Sequence, residues 1–166
     1  MLIFSFINEK ATLINNITCC FPNYFLDIQL SKGDVFNLNI LDTMGVEKAK
    51  PITESYYKNA DCCLLVYDIT NKRSFEECKS YYKNQILGKC KKNVKTILIG
   101  NKSDLEDKRV ISNEEAEQFA FENNYFFMET SCLENKNIQY AFVTLIESNN
   151  IHFPRKINSL NKYLHV

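Results

Sequence analysis

The amino-acid sequence predicts an α/β fold: three layers, with a mostly parallel sheet and one antiparallel hairpin. Three observations predict it. Cys62 to Tyr67 and Val94 to Ile99 are continuous apolar runs, as expected of strands buried on both faces. Helical patterns with apolar residues at 3–4 spacing follow those runs. A polar turn, Ser31-Lys32-Gly33-Asp34, joins two strand-like segments near the start.

The elements follow in order. Tyr24 to Leu30 and Val35 to Leu41 read as the two strands of the hairpin. Cys62 to Tyr67 is the first buried strand. Ser74 to Leu87 reads as a helix, with Ser74 as cap and Glu77 at the capping-box position. Val94 to Ile99 is the next strand. Ser112 to Asn123 is a helix whose Ser112 and Glu115 fit a second capping box. Tyr125 to Glu129 is a short strand. Asn135 to Glu147 is a final helix, with Ile138, Ala141, Phe142 and Leu145 on one face. Such alternation places ligand-binding loops at the carboxyl ends of the strands.

Composition excludes several classes. The 166 residues suffice for one domain with a real core. A hydrophobic share of 45% argues against disorder. Lys+Arg and Asp+Glu both number 20, so no charge excess points to nucleic acid. The seven Cys form no C-x-x-C and lack zinc spacing to His152 or His165, which reads as reduced, mostly buried thiols. Met1 to Ile7 is too short for a signal peptide, and no run reaches the roughly 20 apolar residues of a membrane span. The expected setting is cytoplasmic, with membrane association only through partners.

Asn101, Lys102 and Asp104 follow the strand Ile97-Leu98-Ile99-Gly100. Guanine presents its N1–H and N2 amine as adjacent donors, and one carboxylate accepts both. Such a pair is worth roughly 1–3 kcal/mol of discrimination. Lys102 can lay its stem over the base, and Asn101 can tie neighbouring loops together. Thr130-Ser131-Cys132 follows the next strand, where backbone N–H groups of Ser131 and Cys132 could reach the guanine O6. Ile40-Leu41-Asp42-Thr43-Met44-Gly45 ends a strand in Asp and Gly. Asp42 suits Mg²⁺ held through water, and the Gly45 amide a terminal phosphate. Each motif alone has a plain alternative, a polar turn after a strand.

Together these residues resemble the Ras-like small GTPases, most closely the Rab branch. Leu41-Asp42-Thr43-Met44-Gly45-Val46-Glu47 compares with that family's W-D-T-A-G-Q-E. Tyr56-Tyr57-Lys58-Asn59-Ala60 is similar to Y-Y-R-G-A. Leu64 to Thr70, Arg73-Ser74-Phe75, Gly100 to Leu105 and Glu129-Thr130-Ser131 match almost letter for letter. The resemblance implies a P-loop-NTPase-like fold and a GTP/GDP switch with Mg²⁺ that recruits effectors and exchange factors in membrane traffic. It implies a monomer. It divides the chain into a GTPase-like domain over 1–150 and a short extension over 151–166.

Departures from the pattern matter as much. No G-x-x-x-x-G-K-[ST] occurs, so the phosphate-binding lysine and the Mg²⁺-binding Ser/Thr have no counterpart. The first strand is expected to be missing, leaving unpaired strand edges unless Leu2 to Ile7 substitutes. Val46 stands where the family's water-orienting Gln would be. Met44 and Cys132 replace small Ala residues, and Leu133 replaces a Lys. Thr18 is the nearest candidate for the switch threonine on the metal. The last Cys is Cys132, and Leu2 stands where myristoylation needs Gly, so no lipid anchor is expected. Three readings therefore compete: a Rab-like GTPase lacking upstream residues, a catalytically inactive pseudo-GTPase acting as an interaction module, and an unrelated parallel α/β protein.

Overall fold

The structure is a computed structural model that describes residues 14–20, 23–29, 35–42, 50–150 and 161–165. Three strands open it as an antiparallel meander: β1 (Ile14–Cys20), β2 (Asn23–Gln29) and β3 (Val35–Leu41). Along β2 the side chains alternate, with Tyr24 buried and Phe25 exposed. The register sets Asp27 opposite Asn37, and the Asn37 amide donates to the Asp27 carboxylate.

Next come α1 (Lys50–Asn59) and β4 (Cys62–Asp68). A continuous helical run, α2, comprises Lys72–Glu77, a π-helical stretch Cys78–Tyr82, and Lys83–Lys89. Then follow β5 (Lys95–Asn101), a short 3-10 turn over Glu106–Lys108, α3 (Asn113–Glu122), β6 (Phe126–Thr130), α4 (Ile138–Asn150) and β7 (Asn161–His165). The cap of α2 is Asn71, whose side chain accepts from the Arg73 and Ser74 amides, rather than Ser74 as expected. Ser74 instead donates its hydroxyl to Asn71 O at 2.8 Å and accepts from the Asp68 amide at 3.0 Å. Ser112 does cap α3, its hydroxyl accepting from the Glu115 amide at 3.1 Å.

The sheet runs β1-β2-β3-β7-β4-β5-β6. From β3 to β6 the strands are parallel, so their carboxyl ends share one edge. Here the structure differs from one expectation. The edges of β3 and β4 do not stand bare, because β7 lies between them. It pairs with β3 from Asn37↔Asn161 to Leu41↔His165, and with β4 at Cys62↔Leu164 and Cys63↔His165. Residues 161–165 thus belong to the sheet. Leu2 to Ile7 lie outside the described residues.

Both faces of β4 and β5 are covered, which explains their continuous apolar runs. Cys62, Leu64, Ile97 and Ile99 pack against Ile138, Phe142 and Leu145 of α4. Cys63, Leu65, Tyr67 and Leu98 face the other way, against Tyr57, Phe75, Ile86 and Phe119. Tyr67 and Phe75 meet at a tilt of 52°, 4.8 Å between ring centroids, and Phe75 meets Phe119 edge-on at 5.9 Å.

Candidate functional site

The carboxyl edge of β4, β5 and β6 carries the site. Strand β5 ends at Asn101, level with Asp68 of β4 and Thr130 of β6. Three chain segments therefore leave the sheet side by side. Lys102, the first residue beyond β5, has φ 67°, a left-handed conformation that costs a non-glycine residue of order 1–3 kcal/mol. That turn swings the loop back across the sheet edge. Lys102 Nζ reaches Asp68 Oδ2 at 2.6 Å, so its methylene stem crosses from β5 to β4. Asp68 is itself held: its Oδ1 accepts from the Thr70 amide at 2.8 Å and from the Thr70 hydroxyl at 2.7 Å. Burial alone would raise the Asp68 pKa. Lys102 and Thr70 outweigh it and hold the carboxyl below its ordinary value.

The same loop is tied to the turn after β6. Asn101 Oδ1 accepts from Thr130 Oγ1 at 3.2 Å and from the Cys132 thiol at 3.6 Å. The Ser103 amide donates to Thr130 O at 3.0 Å. Ser131 Oγ donates to Asp104 Oδ1 at 2.5 Å and accepts from the Glu134 amide at 3.0 Å. Thus the loop of Asn101, Lys102 and Asp104 meets the turn of Ser131 and Cys132. Asp104 spends one oxygen on Ser131 and keeps Oδ2 without a partner among the described residues. A carboxylate steered in this way, beside backbone amides of a turn, suits a planar ring with two adjacent N–H donors. The described residues fit a guanine base.

Asp42 and Thr18, the residues expected on Mg²⁺, stand at other strands. Asp42 follows β3 on the carboxyl edge, three strand spacings from β5, roughly 14 Å. Thr18 lies in β1, in register with Phe25 and so level with Asn39, two strands from β3. Its backbone does not share the loop edge with Asp42. Met44, Gly45 and Val46 lie outside the described residues.

Some supporting residues escaped the sequence reading. Arg109 grips Glu129 with two hydrogen bonds, 2.6 and 2.8 Å, and Glu106 with two more, 2.7 and 2.6 Å. Glu129 and Glu106 push the guanidinium pKa above its already high ordinary value. This clamp fixes the end of β6 just before Thr130. Asn137, in a left-handed turn of φ 60°, donates to Glu129 O at 2.9 Å. Glu129 stood in the sequence beside the Thr-Ser pair, but no periodic pattern pointed to Arg109 as its partner.

The family model described as Ras family matches residues 1–150. The Ras-related protein RGP1 of Oryza sativa subsp. japonica is 44% identical over 107 residues, covering 64% of this chain and 47% of the relative. The Ras-related protein Rab-10 of Diplobatis ommata is 45% identical over 115 residues, covering 69% and 57%. The Ras-related protein Rab-8B of Homo sapiens is 35% identical over 162 residues, covering 96% and 76%. The chain thus spans about half the length of the first two relatives. With these loops tied together at one sheet edge and the match running over most of the sequence, this chain belongs to the Ras family of small GTPases and stands nearest its Rab branch.

Proposed function

We propose that this chain recognises the guanine base of GTP or GDP through Asp104, and serves as a Rab-like switch that engages effectors and exchange factors in membrane traffic. The observation that carries the reading is the Ser131 hydroxyl on Asp104 Oδ1, which leaves Oδ2 directed by a buried neighbour. Lys102, anchored on Asp68, supports it by covering the adjoining edge. Phosphate affinity is a separate matter. In this family it comes mainly from P-loop amides, the lysine and the shared Mg²⁺, and the 166 residues contain no G-x-x-x-x-G-K-[ST]. Nucleotide binding by these residues is therefore weak, and Val46 cannot orient an attacking water by hydrogen bonding.

The second reading, a pseudo-GTPase that binds partners without turnover, is favoured by Val46 and Met44 at the positions of the family's Gln and Ala. Calorimetric titration separates the claims. GDP should bind weakly but better than ADP. Asp104→Asn should reduce that preference by roughly 1–3 kcal/mol and improve tolerance of the xanthine nucleotide, which offers an oxygen at position 2. Equal competition by GDP and ADP in the unaltered chain would overturn the base reading. Nanomolar GTP affinity would overturn the weak-binding claim.

A further inference from the structure

Far from the loop edge, two cysteines meet. Cys63 is buried near the start of β4. Cys90 caps the carboxyl end of α2, half-buried, its amide donating to Ile86 O at 3.0 Å. Their sulfurs lie 3.8 Å apart. Among the described residues the other thiols point elsewhere: Cys62 toward Leu145 O at 3.7 Å, Cys78 toward Val66 O at 3.6 Å, and Cys132 toward Asn101 Oδ1. We propose that Cys63 and Cys90 form a reversible disulfide on exposure to a peroxide, locking the end of α2 onto β4.

The roles of the two thiols differ. Contact with Cys63 and the charge of Lys91 lower the Cys90 pKa against burial, whereas contact with Cys90 and burial raise that of Cys63. Cys90 is therefore the attacking thiolate and Cys63 the resolving thiol. Lys91 is held nearby by Asp61 at 2.7 Å. Tyr125 packs against the same cluster, its hydroxyl buried without a hydrogen-bond partner among the described residues, and its pKa is pushed up to about 12 by burial and then by the two thiols. Tyr57 lies against the same pair.

The chemistry balances. The Cys90 thiolate attacks one peroxide oxygen, the O–O bond breaks, and hydroxide leaves to take up a proton as water. The Cys63 sulfur then attacks the Cys90 sulfenic acid. An S–S bond forms, the S–O bond breaks, and a second water departs with the Cys63 proton. Two thiols lose two electrons, and the peroxide is reduced to two waters. Closing the gap from 3.8 Å to about 2.05 Å calls for rotation of the Cys90 side chain at the free end of its helix.

The full chain should be treated with stoichiometric hydrogen peroxide and digested without reductant. The expected product has lost two hydrogens and yields a cross-linked peptide pair containing Cys63 and Cys90, reversed by dithiothreitol. Its thermal midpoint should exceed that of the reduced protein, because the bridge restrains the unfolded chain. In Cys63→Ala, Cys90 should instead be trapped as a sulfenic acid by dimedone. The proposal is overturned if peroxide links other cysteines, or if Cys63 stays open to alkylation in the unfolded digest after treatment. Should Cys63→Ala fail to fold, the peptide map of the unaltered chain decides alone.

Discussion

Ser131 donates its hydroxyl to Asp104 Oδ1 at 2.5 Å, joining two loops that are 27 residues apart in the chain. This bond ties the turn after β6 to the loop after β5. It also decides which carboxylate oxygen remains for a ligand. Ser131→Ala should therefore act twice. Stability should fall by about 0.5–1.5 kcal/mol, since Asp104 and the Glu134 amide each lose a partner. Guanine preference should fall as well, because Asp104 becomes free to turn. Urea unfolding and GDP/ADP competition measure the two effects. An unchanged GDP/ADP ratio would show that the hydroxyl does not position Asp104.

The Asp68–Lys102 pair makes a pH prediction. In the folded chain the Asp68 carboxyl ionises below its ordinary value of 3.8. The unfolded chain then takes up its proton first as pH falls. The contribution to stability is complete above about pH 4 and fades as pH drops toward the lower folded value. Asp68→Asn should lower the urea midpoint at neutral pH and flatten the acid decline. Equal acid slopes in both proteins would remove the pair from the account.

Gly100 stands where Tyr67 comes closest. A Cβ there would lie 2.7 Å from the Tyr67 hydroxyl, 3.0 Å from Cζ and 3.2 Å from Ile69 Cγ2. Gly100→Ala should cost about 1–3 kcal/mol by overpacking. Tyr67→Phe removes the nearest contact, and with it a buried hydroxyl lacking a partner among the described residues. The double variant should therefore be more stable than the sum of the two single effects predicts. A strictly additive urea cycle would place the strain elsewhere.

Strand β7 carries the next expectation. Tyr163 sits in register with Asn39 of β3. Tyr163→Pro removes a donor from a strand with neighbours on both sides, which a central position tolerates poorly. Amide hydrogen exchange in the full chain should quicken along β3 and at the start of β4, while β5 and β6 stay protected. Unchanged protection of β3 would exclude β7 from that position.

Much of this protein was legible in the order of its residues. The apolar runs of β4 and β5, the Ser112 cap and the N-K-x-D loop depend on neighbours within a few positions, and such patterns survive in sequence. Asn101, Lys102, Asp104, Ser131 and Cys132 could be singled out because strand-ending loops on a parallel sheet share an edge. The tertiary structure alone decided who holds them: Asp68 beneath Lys102, Arg109 across Glu129, and Ser131 on one particular oxygen of Asp104. It also decided that residues 161–165 lie between β3 and β4, and that Cys63 faces Cys90. These pairings join distant segments, and a short polar or extended stretch has no periodicity that names its partner. Strand order is settled by which edges can be paired once the core has closed, and that is a property of the assembled sheet.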